Sequence, residues 1–537
     1  MGEYIRGFVR YRIADLHLWH DEDPATLAAR AAKRLGVEPQ SVARVDVVRR
    51  SLDARRKGHP RWVIEAEATL EHPLPALPAG VSPVPEPEPA LPPVPEPELP
   101  PLVLGAGPAG LFCAWGLLER GVRSIVVDRG KMVGPRRRDV ARLMRSGELD
   151  AESNMNFGEG GAGAYTDGKL STRIHHPLVR RVVELFARFG EVDRILAEGK
   201  PHVGSDVLPA AVSAMRADLE RRGCRFLWGA RAVDFRLEGD RFRGLVLADG
   251  QVVPGNRLVL APGNSAREIY ELFASRGWPI EAKPFAAGFR AEHPQALIDR
   301  IQYGRAARDG NLPPADYRLA DNPVVAGRGR GVFSFCMCPG GVVVPTPTEP
   351  GMQCTNGMSN SGRSSPLANA GLVAAVSLED YAAEGFVGPL AGLSWQRKWE
   401  RAAYELGGGG YRAPAQRLSD FMAGRLGSPP VRSSYRPGLS HADLSRLFPS
   451  QVQEALRVAV RAFERRMRGF VTEEAVLLGV ETRTSAPCRL LRGEDLQSPR
   501  LRGVYPAGEG AGYAGGIVSS AVDGLKLAAI ICRELGG

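Results

Sequence analysis

Three glycines that follow a short apolar run have the clearest chemical use in this chain. Gly105, Gly107 and Gly110 have the G-x-G-x-x-G spacing, directly after the apolar residues 102–104. In this spacing the first glycine makes a tight turn, the second lets the backbone approach a pyrophosphate, and the third lets a helix pack on a strand. The spacing predicts a dinucleotide site, and a chance glycine turn is the alternative.

The elements predicted around this turn favour the dinucleotide site. Pro108 and Ala109 lie in the turn before a helix over residues 111–120, whose free N–H groups would face phosphate oxygens. A second strand over residues 124–128 ends at Asp128, 18 residues after Gly110, where a carboxylate meets a ribose diol. Arg129 follows it and completes this part of the predicted site.

A second glycine-rich stretch follows at residues 154–169, with five glycines between positions 158 and 168. Glycine allows a flat ligand to approach the backbone closely. Because polar side chains are interleaved with these glycines, we predict a ligand-lining loop, with a mobile surface loop as the alternative. Its predicted cofactor-binding residues are Gly158, Gly160, Gly161, Ala162, Gly163, Asp167, Gly168 and Lys169.

The C-terminal residues 502–517 read as a strand, a glycine loop and the start of a helix. Glu509 in that loop could accept a hydrogen bond from a ribityl chain, and the dipole of a helix starting near Ile517 could face the flavin N1/C2=O edge. The alternative is an ordinary glycine loop. Two distant glycine segments fit one cofactor, FAD, and the remaining predicted binding residues are Gly263, Gly508, Gly515 and Gly516.

Residues for chemistry beside the flavin are harder to find. Glu481, Arg483, Cys336 and Cys338 are the candidates, each with an ion pair or strand-face packing as its alternative. In the C-x-C pair both side chains would face the same way on a strand, and packing, redox or substrate contact, and metal binding all remain open. A further polar cluster is Arg290, Glu292 and His293. We expect no metal site.

Composition and patterning suggest several domains. The chain of 537 residues is long enough for two to four. In the segment 73–101, 13 of 29 residues are proline, so it cannot enter a sheet interior and should be an extended spacer that leaves the preceding module tethered. The predicted segments are a small N-terminal module (1–72), the linker (73–101), the first part of an FAD-binding domain (102–274), a substrate domain (275–484) and the C-terminal part of the FAD-binding domain (485–537).

The totals exclude some classes of protein. No apolar run is long enough to span a membrane, and no apolar signal core opens the chain, so we expect a cytoplasmic protein. Seven cysteines are too few for a disulfide framework. The net charge of +10 is spread along the chain, which argues against nucleic acid as a partner and favours a small-molecule substrate. The oligomeric state is open, and a monomer is plausible.

The N-terminal module has a predicted β-α-β-β order, typical of a ferredoxin-like half or a small sandwich. Its basic cluster is Arg49, Arg50, Arg55, Arg56, Lys57 and Arg61, which favours a solvated hairpin over a nucleic-acid or partner patch. The module as a whole holds 13 Lys and Arg against 11 Asp and Glu, a net of only +2.

These motifs resemble those of the largely uncharacterised bacterial FAD-dependent dehydrogenases, which have plastid relatives. The resemblance covers nearly the whole chain and is carried by residues 51–56, 156–163, 167–170, 335–341, 356–359, 481–485 and 508–517. It implies an α/β fold with a Rossmann-like FAD-binding domain of the glutathione-reductase or hydroxylase type, an inserted mixed-sheet substrate domain and a ferredoxin-like N-terminal module. Such relatives usually carry Glu at the position of Asp128.

The predicted function is two-electron transfer through a non-covalently bound FAD. No second G-x-G-x-x-G follows a strand in residues 275–484, so any NAD(P)H would dock only transiently as an electron donor. One alternative is a single-FAD monooxygenase or an ene-reductase of the geranylgeranyl-reductase type. An alternative of another class is a flavoprotein that binds RNA or a partner through its N-terminal module.

Overall fold

The computed structural model describes residues 8–85, 92–308, 310, 312–430 and 432–536. The strands, numbered along the chain, are β1 (Val9–Trp19), β2 (Val42–Asp53), β3 (Arg61–Leu70), β4 (Val81–Pro83), β5 (Leu102–Leu104), β6 (Ile125–Asp128), β7 (Arg225–Trp228), β8 (Ala232–Glu238), β9 (Arg241–Leu247), β10 (Val252–Pro254), β11 (Leu258–Leu260), β12 (Ile280–Ala282), β13 (Phe285–Pro294), β14 (Ala320–Asp321), β15 (Val324–Val325), β16 (Arg328–Gly329), β17 (Val332–Cys338), β18 (Gly341–Pro345), β19 (Thr355–Ser359), β20 (Leu367–Val376), β21 (Ala413–Arg417), β22 (Leu439–His441), β23 (Val476–Glu481), β24 (Cys488–Leu490) and β25 (Val504–Pro506). The helices are α1 (Thr26–Leu35), α2 (Pro108–Glu119), α3 (Val133–Ser146), α4 (Leu178–Gly190), α5 (Leu208–Arg221), α6 (Arg267–Ser275), α7 (Gln295–Tyr303), α8 (Leu378–Ala383), α9 (Ala391–Leu406), α10 (Leu418–Met422), α11 (Ser450–Arg466) and α12 (Ile517–Gly536).

The first sheet has four strands in the order β2-β3-β1-β4, with every neighbouring pair antiparallel. This is the strand order of a split β-α-β unit. Alternate residues of β3 are buried, and they pack in one cluster with the buried face of α1. The edge strand β4 comes from the proline-rich segment, whose prolines are tolerated at an edge because no ladder hydrogen bond is required of them there.

The N-terminal module is docked on the rest of the chain, not merely tethered to it. The Arg50 N–H donates to the Ala197 carbonyl at 2.6 Å, and the Gly199 N–H donates to the Arg50 carbonyl at 2.7 Å. The Gly58 N–H, in the β2–β3 turn, donates to the carbonyl of Tyr303 at 3.1 Å. The prediction of a tethered module was incomplete. The composition of a linker indicates how stiff it is, but it does not show whether the module that it carries packs on the rest of the protein.

A second sheet has five parallel strands in the order β25-β11-β5-β6-β7. Its edge strand β25 and the inner strands β11 and β5 are short, fully buried apolar runs, as a sheet covered on both faces requires. The C-terminal strand β25 thus pairs next to β11 although most of the chain separates it from β5. The glycine turn lies at the carboxyl end of β5, where ligands bind in open parallel sheets.

Helix α2, which follows β5, packs closely against helix α12, which follows β25. A Cβ on Gly524 of α12 would collide with the Ala109 carbonyl oxygen of α2, and a Cβ on Gly116 would lie 2.8 Å from the Ala528 Cβ. The absent side chains therefore allow the two backbones to approach closely.

The residues between β11 and β25 form a seven-stranded mixed sheet in the order β14-β17-β20-β13-β23-β21-β22. Its central strands β17, β20, β13 and β23 pair antiparallel, and β21 pairs parallel with β22. Helices α9 and α11 cover one face of it in a core rich in aromatic rings. The chain therefore has an α/β fold with mixed sheets.

We expect Gly524→Ala to lower the apparent melting temperature of the protein. The new methyl would force α12 away from the α2 backbone, and overpacking of this kind costs about 1–3 kcal/mol. Gly134→Ala in α3 is the matched control, because its Cβ would meet nothing within 4 Å. Thermal denaturation of both variants checks this, and equal melting temperatures would contradict the close packing.

Candidate active site

The three glycines of the turn have different surroundings. Gly105 has a φ of +105°, and a Cβ on it would collide with the Ala261 carbonyl. A Cβ on Gly110 would collide with the Gly105 carbonyl, so this position sets how closely α2 packs on β5. A Cβ on Gly107 would have only the Gly161 Cα within reach, at 3.8 Å. Gly107 is therefore the position that keeps space open rather than the one that holds the fold.

Asp128 lies at the end of β6, with its carboxylate against the glycine turn. Its Oδ2 accepts the Ala106 N–H and its Oδ1 accepts the Gly130 N–H, both at 2.8 Å. Each carboxylate oxygen has a further lone pair for a ribose hydroxyl. The guanidinium of Arg129 is occupied otherwise: it pairs with Glu152 at 2.7 Å and with Glu268 at 2.8 Å.

The glycine-rich loop is held by an arginine that the sequence did not single out. Arg136 of α3 is fully buried and donates to the carbonyls of Asn154, Glu159 and Gly161 at 2.6–2.8 Å. These bonds fix the loop beside Gly107. The only signal in the sequence was a run of three arginines, which gives no indication that the first is buried.

The C-terminal loop closes the same region from the other side. A Cβ on Gly163 would lie 3.3 Å from Pro108 Cγ and 3.4 Å from Ile517 Cγ1, so the glycine-rich loop touches the first residues of both α2 and α12. A Cβ on Gly510 would lie 2.6 Å from Gly263. The turn, the glycine-rich loop and the C-terminal loop therefore meet at one place.

Glu509 is a partly exposed carboxyl in this place. Its Oε1 accepts a hydrogen bond from the Asn264 side chain at 2.7 Å. Burial raises the pKa of Glu509 to about 7, and the Asn264 hydrogen bond opposes the rise. The carboxyl can therefore gain or lose a proton near neutrality.

The residues present fit an FAD molecule. Cβ atoms on Gly263 and Gly515 would meet nothing within 4 Å, and Gly107 has only the distant Gly161 contact, so a cradle of backbone lies open to a ligand. The N-termini of α2 and α12 lie on either side of it and favour negative charge. Glu509 and Asp128 supply acceptors for hydroxyl groups.

The two cysteines of the C-x-C pair lie together at the end of β17. The strand pairing shifts register between Phe335 and Cys338, and Cys336 has a φ of +43°. The Cys338 thiol donates to the Cys336 carbonyl at 3.3 Å. A hydrogen bond from Cys338, aided by the charges of Lys169 and Arg290, lowers the pKa of Cys336 to about 5. We call the side chains of Cys336, Cys338, Lys169, Arg290 and Glu481 the thiol cluster.

Arg290 and Glu481 form the buried floor of the thiol cluster. Arg290 Nη1 lies 3.2 Å from Glu481 Oε2, and Nη2 donates to the Cys336 carbonyl at 2.7 Å and contacts Cys338 Sγ at 3.4 Å. Burial raises the pKa of Glu481 to about 7, and its Oε1 has no hydrogen-bond partner among the described residues. The free oxygen and the shifted pKa make Glu481 a candidate proton donor or acceptor.

Lys169 is positioned by a second set of buried groups. Its ammonium donates to the Met337 carbonyl, between the two cysteines, and lies 3.1 Å from Asp167 Oδ2. Asp167 in turn accepts from the Ser359 hydroxyl and lies 3.3 Å from His202 Nε2. Ser359 and His202 were not predicted, because their sequence neighbours carry no spacing signal.

Arg483 belongs to a different network. It makes two hydrogen bonds to Glu400, at 3.0 and 2.8 Å, and Arg267 bonds the same carboxylate at 2.8 Å. These two arginines lower the pKa of Glu400 to about 2 although burial opposes this. Among the described residues Arg483 makes no bond to the thiol cluster, so the structure does not bring the four candidate residues into one group.

The predicted cluster of Arg290, Glu292 and His293 also separates. Glu292 accepts from the backbone N–H of Ser434, at 3.1 and 3.2 Å. His293 Nε2 contacts the Phe470 carbonyl at 2.9 Å, and burial lowers its pKa to about 4. Only Arg290 reaches the thiol cluster. His293 lies on the opposite face of β13, and Glu292, on the same face as Arg290, lies further along the strand and is held by Ser434.

Three residues of the basic cluster have partners within the N-terminal module. Arg55 pairs with Asp53 at 2.8 Å, Arg61 approaches the same carboxylate at 3.5 Å, and Arg50 lies over the Trp62 ring. Within the described ranges no three His, Cys, Asp or Glu side chains come together as a metal site would require. No helix among the described residues has the length and apolar character needed to cross a bilayer.

Comparison with known families identifies the cofactor. Residues 284–484 match the family described as "FAD-dependent protein, C-terminal domain-like", and residues 11–69 match a domain of unknown function, DUF8436. The first match confirms FAD as the cofactor predicted from the two glycine segments.

Other comparisons give one long relative and several distant structures. An uncharacterised protein of Clostridium beijerinckii is 38% identical over 531 residues, covering 97% of this chain and 98% of the relative. A glycine oxidase from Bacillus cereus has a TM-score of 0.33 at 11% identity, over 81% of this chain and 96% of that one. A structure of CtdE in complex with FAD has a TM-score of 0.33 at 10% identity, over 82% and 86%. Scores at this level are too low to define a shared fold.

We expect the stability of the apoprotein to fall relative to Glu509→Gln as the pH rises from about 5 to about 7. The pKa of Glu509 is about 7 in the folded protein and ordinarily 4.5, so the folded state binds the proton more tightly and loses that advantage over this interval. Above pH 7 the difference should level off. Melting temperatures measured against pH test this.

The control for this comparison is Glu454→Gln, at an exposed position of α11. Its difference from wild type should not follow the same curve. A Glu509→Gln difference that stays constant from pH 5 to 8 would contradict the raised pKa.

Proposed function

This chain belongs to the family of the Clostridium beijerinckii protein, and we propose that it is an FAD-dependent oxidoreductase that acts on a small molecule. FAD, when bound, supplies two-electron (hydride) transfer, and we propose that it is held without a covalent bond. The observation that supports this most directly is the meeting of three glycine segments from distant parts of the chain around one backbone cradle.

The chain's own residues would hold the two ends of FAD differently. The Gly105–Gly110 turn and the N-terminus of α2 would bind the pyrophosphate, with Gly107 leaving room for it. Asp128, already oriented by two backbone N–H groups, would accept the ribose hydroxyls. Glu509 and the N-terminus of α12 would bind the opposite end, and Arg136 would keep the loop between them in place.

The thiol cluster would act on the substrate. Lys169 and Arg290 bring two positive charges to one site, which would bind or stabilise negative charge on a substrate. Cys336 and Glu481 are the groups able to move a proton: the pKa of Glu481, about 7, lies at neutrality, and the pKa of Cys336, about 5, lies below it, so that its thiolate can accept one. The negative charge of Cys336 is close enough to raise the pKa of Glu509, which supports placing this cluster beside the cofactor cradle.

We further propose that NAD(P)H docks only transiently as electron donor. We assign both strand–glycine loop–helix segments of the chain, β5 to α2 and β25 to α12, to FAD. The mixed sheet of residues 284–484 is antiparallel at its centre and has no equivalent turn among its described residues.

The decisive experiment is to identify the bound cofactor and its electron donor. The purified protein should show a flavin spectrum and release FAD on denaturation, and anaerobic NADH or NADPH should bleach it. A colourless protein that takes up no FAD would refute the proposal. Rapid oxygen consumption coupled to substrate would favour the monooxygenase alternative over a dehydrogenase or reductase.

We expect Gly107→Ala to weaken FAD binding at least about tenfold, equivalent to about 1.4 kcal/mol. The methyl would occupy the space in which the pyrophosphate approaches the backbone, and it would not clash with the protein itself, since the nearest atom is 3.8 Å away. Fluorescence titration of the apoprotein with FAD measures this. The melting temperature of the apoprotein should stay unchanged, and Gly134→Ala should bind FAD as wild type does.

A further inference from the structure

The C-x-C segment departs from regular strand geometry and turns the Cys338 thiol back toward Cys336. A regular strand would space Cys336 and Cys338 along one face, but the register shift after Phe335 and the positive φ of Cys336 fold the backbone locally. The Cys338 thiol reaches back to the Cys336 carbonyl, and Lys169 holds the Met337 carbonyl between them. A non-glycine residue at positive φ is uncommon and costs free energy that other contacts must offset.

The two thiols differ in exposure and in electrostatics. Cys336 is partly exposed, whereas Cys338 is fully buried against Arg290. The hydrogen bond from Cys338, with Lys169 and Arg290, lowers the pKa of Cys336, whereas burial raises the pKa of Cys338. The carboxylates of Asp167 and Glu481 also face this site. An accessible thiolate beside a buried thiol is the arrangement of an attacking and a resolving cysteine.

The other five cysteines have none of these features. All five are buried: Cys113, Cys224, Cys354, Cys488 and Cys532. Cys113 and Cys532 lie in the packed α2–α12 core, and burial raises the pKa of both. Burial likewise raises the pKa of Cys354 and of Cys488.

We propose that Cys336 and Cys338 are a redox-active pair through which the protein passes two electrons between FAD and a thiol or disulfide substrate. This rests on the proposed function. The Cys336 thiolate attacks a substrate disulfide and forms a mixed disulfide, and one substrate thiolate leaves. The Cys338 thiol then attacks Cys336 Sγ and its proton passes to the departing substrate sulfur, which leaves as a thiol, so that a Cys336–Cys338 disulfide remains.

Reduced FAD, when bound, would supply the two electrons and one proton that return this disulfide to one thiolate and one thiol. Read in the opposite direction, the same step oxidises the pair and delivers the electrons to FAD. No other oxidant or reductant is needed inside the protein. Lys169 and Arg290 stabilise the thiolate at each stage.

The test uses the FAD-loaded protein and peptide mass analysis after alkylation. Oxidised glutathione should convert the peptide with Cys336 and Cys338 to a form two hydrogens lighter, while the other five cysteines alkylate only after denaturation. Anaerobic photoreduction of the bound FAD should then restore both thiols, and a sample kept in the dark should retain the disulfide. Cys224→Ser, at a buried cysteine away from the pair, should behave as wild type.

Single replacements separate the pair from a merely structural role. Cys338→Ser should trap a stable mixed disulfide at Cys336, whereas Cys336→Ser should form no adduct. Lys169→Met should shift the pH midpoint for iodoacetamide alkylation of Cys336 upward by about one unit or more, because one positive charge is lost. FAD content should be retained in both cysteine variants.

The outcomes also distinguish this inference from the proposed function. If FAD binds and is bleached by NAD(P)H but the pair stays reduced in oxidised glutathione, or its disulfide survives photoreduction, the dithiol is refuted and the oxidoreductase stands. If no FAD is bound at all, both fail.

Discussion

The close contact between α2 and α12 is the constraint on which the site depends. Gly116 and Gly524 let the two helices approach until backbone meets backbone, and this fixes the start of each helix relative to the other. Because the turn of residues 105–110 opens α2 and the loop of residues 508–516 opens α12, the cradle exists only when this contact forms. A site of this kind cannot be completed until the C-terminus of the chain has folded back onto β11.

The inserted region is therefore held from both sides. It leaves the parallel sheet after β11 and returns to it before β25, so its own sheet cannot move far from the cradle. Strands β13 and β23 pair antiparallel and bring Arg290 and Glu481 together, while β17 brings the two cysteines. The glycine-rich loop supplies Lys169 from the opposite side. The thiol cluster thus joins residues of the glycine-rich loop to residues of the seven-stranded sheet.

Local patterns in the sequence were sufficient to predict the strands and helices around the glycine segments. The glycine turn, Asp128 and the loop with Glu509 each carry their signal in a few neighbouring residues, because backbone conformation and strand ends are local properties. The partners of these residues are not local. Arg136 binds the carbonyl of Glu159, 23 residues further along the chain. His202 and Ser359 meet at Asp167 only through tertiary contacts. Docking of the N-terminal module could not be predicted from its linker for the same reason.

The two buried ionic networks near β23, one around Glu400 and one around Cys336, differ in how their charges shift pKa values. This difference indicates which network is suited to a reaction. Around Glu400 the charges are matched, because Arg267 and Arg483 face the carboxylates of Glu400 and Glu349. The pKa of Glu400 moves to about 2, away from neutrality, so the network stays ionised and holds α6, α9 and the end of β23 together. Around Cys336, where Asp167 pairs with Lys169, the remaining groups can change their charge. Two cations face a carboxyl whose pKa rises to about 7 and a thiol whose pKa falls to about 5. Buried groups whose pKa is shifted in this way add nothing to the stability of a fold. A reaction that moves protons requires such groups. Arg483 and Glu481 are separated by one residue, yet they belong to opposite sides of this division.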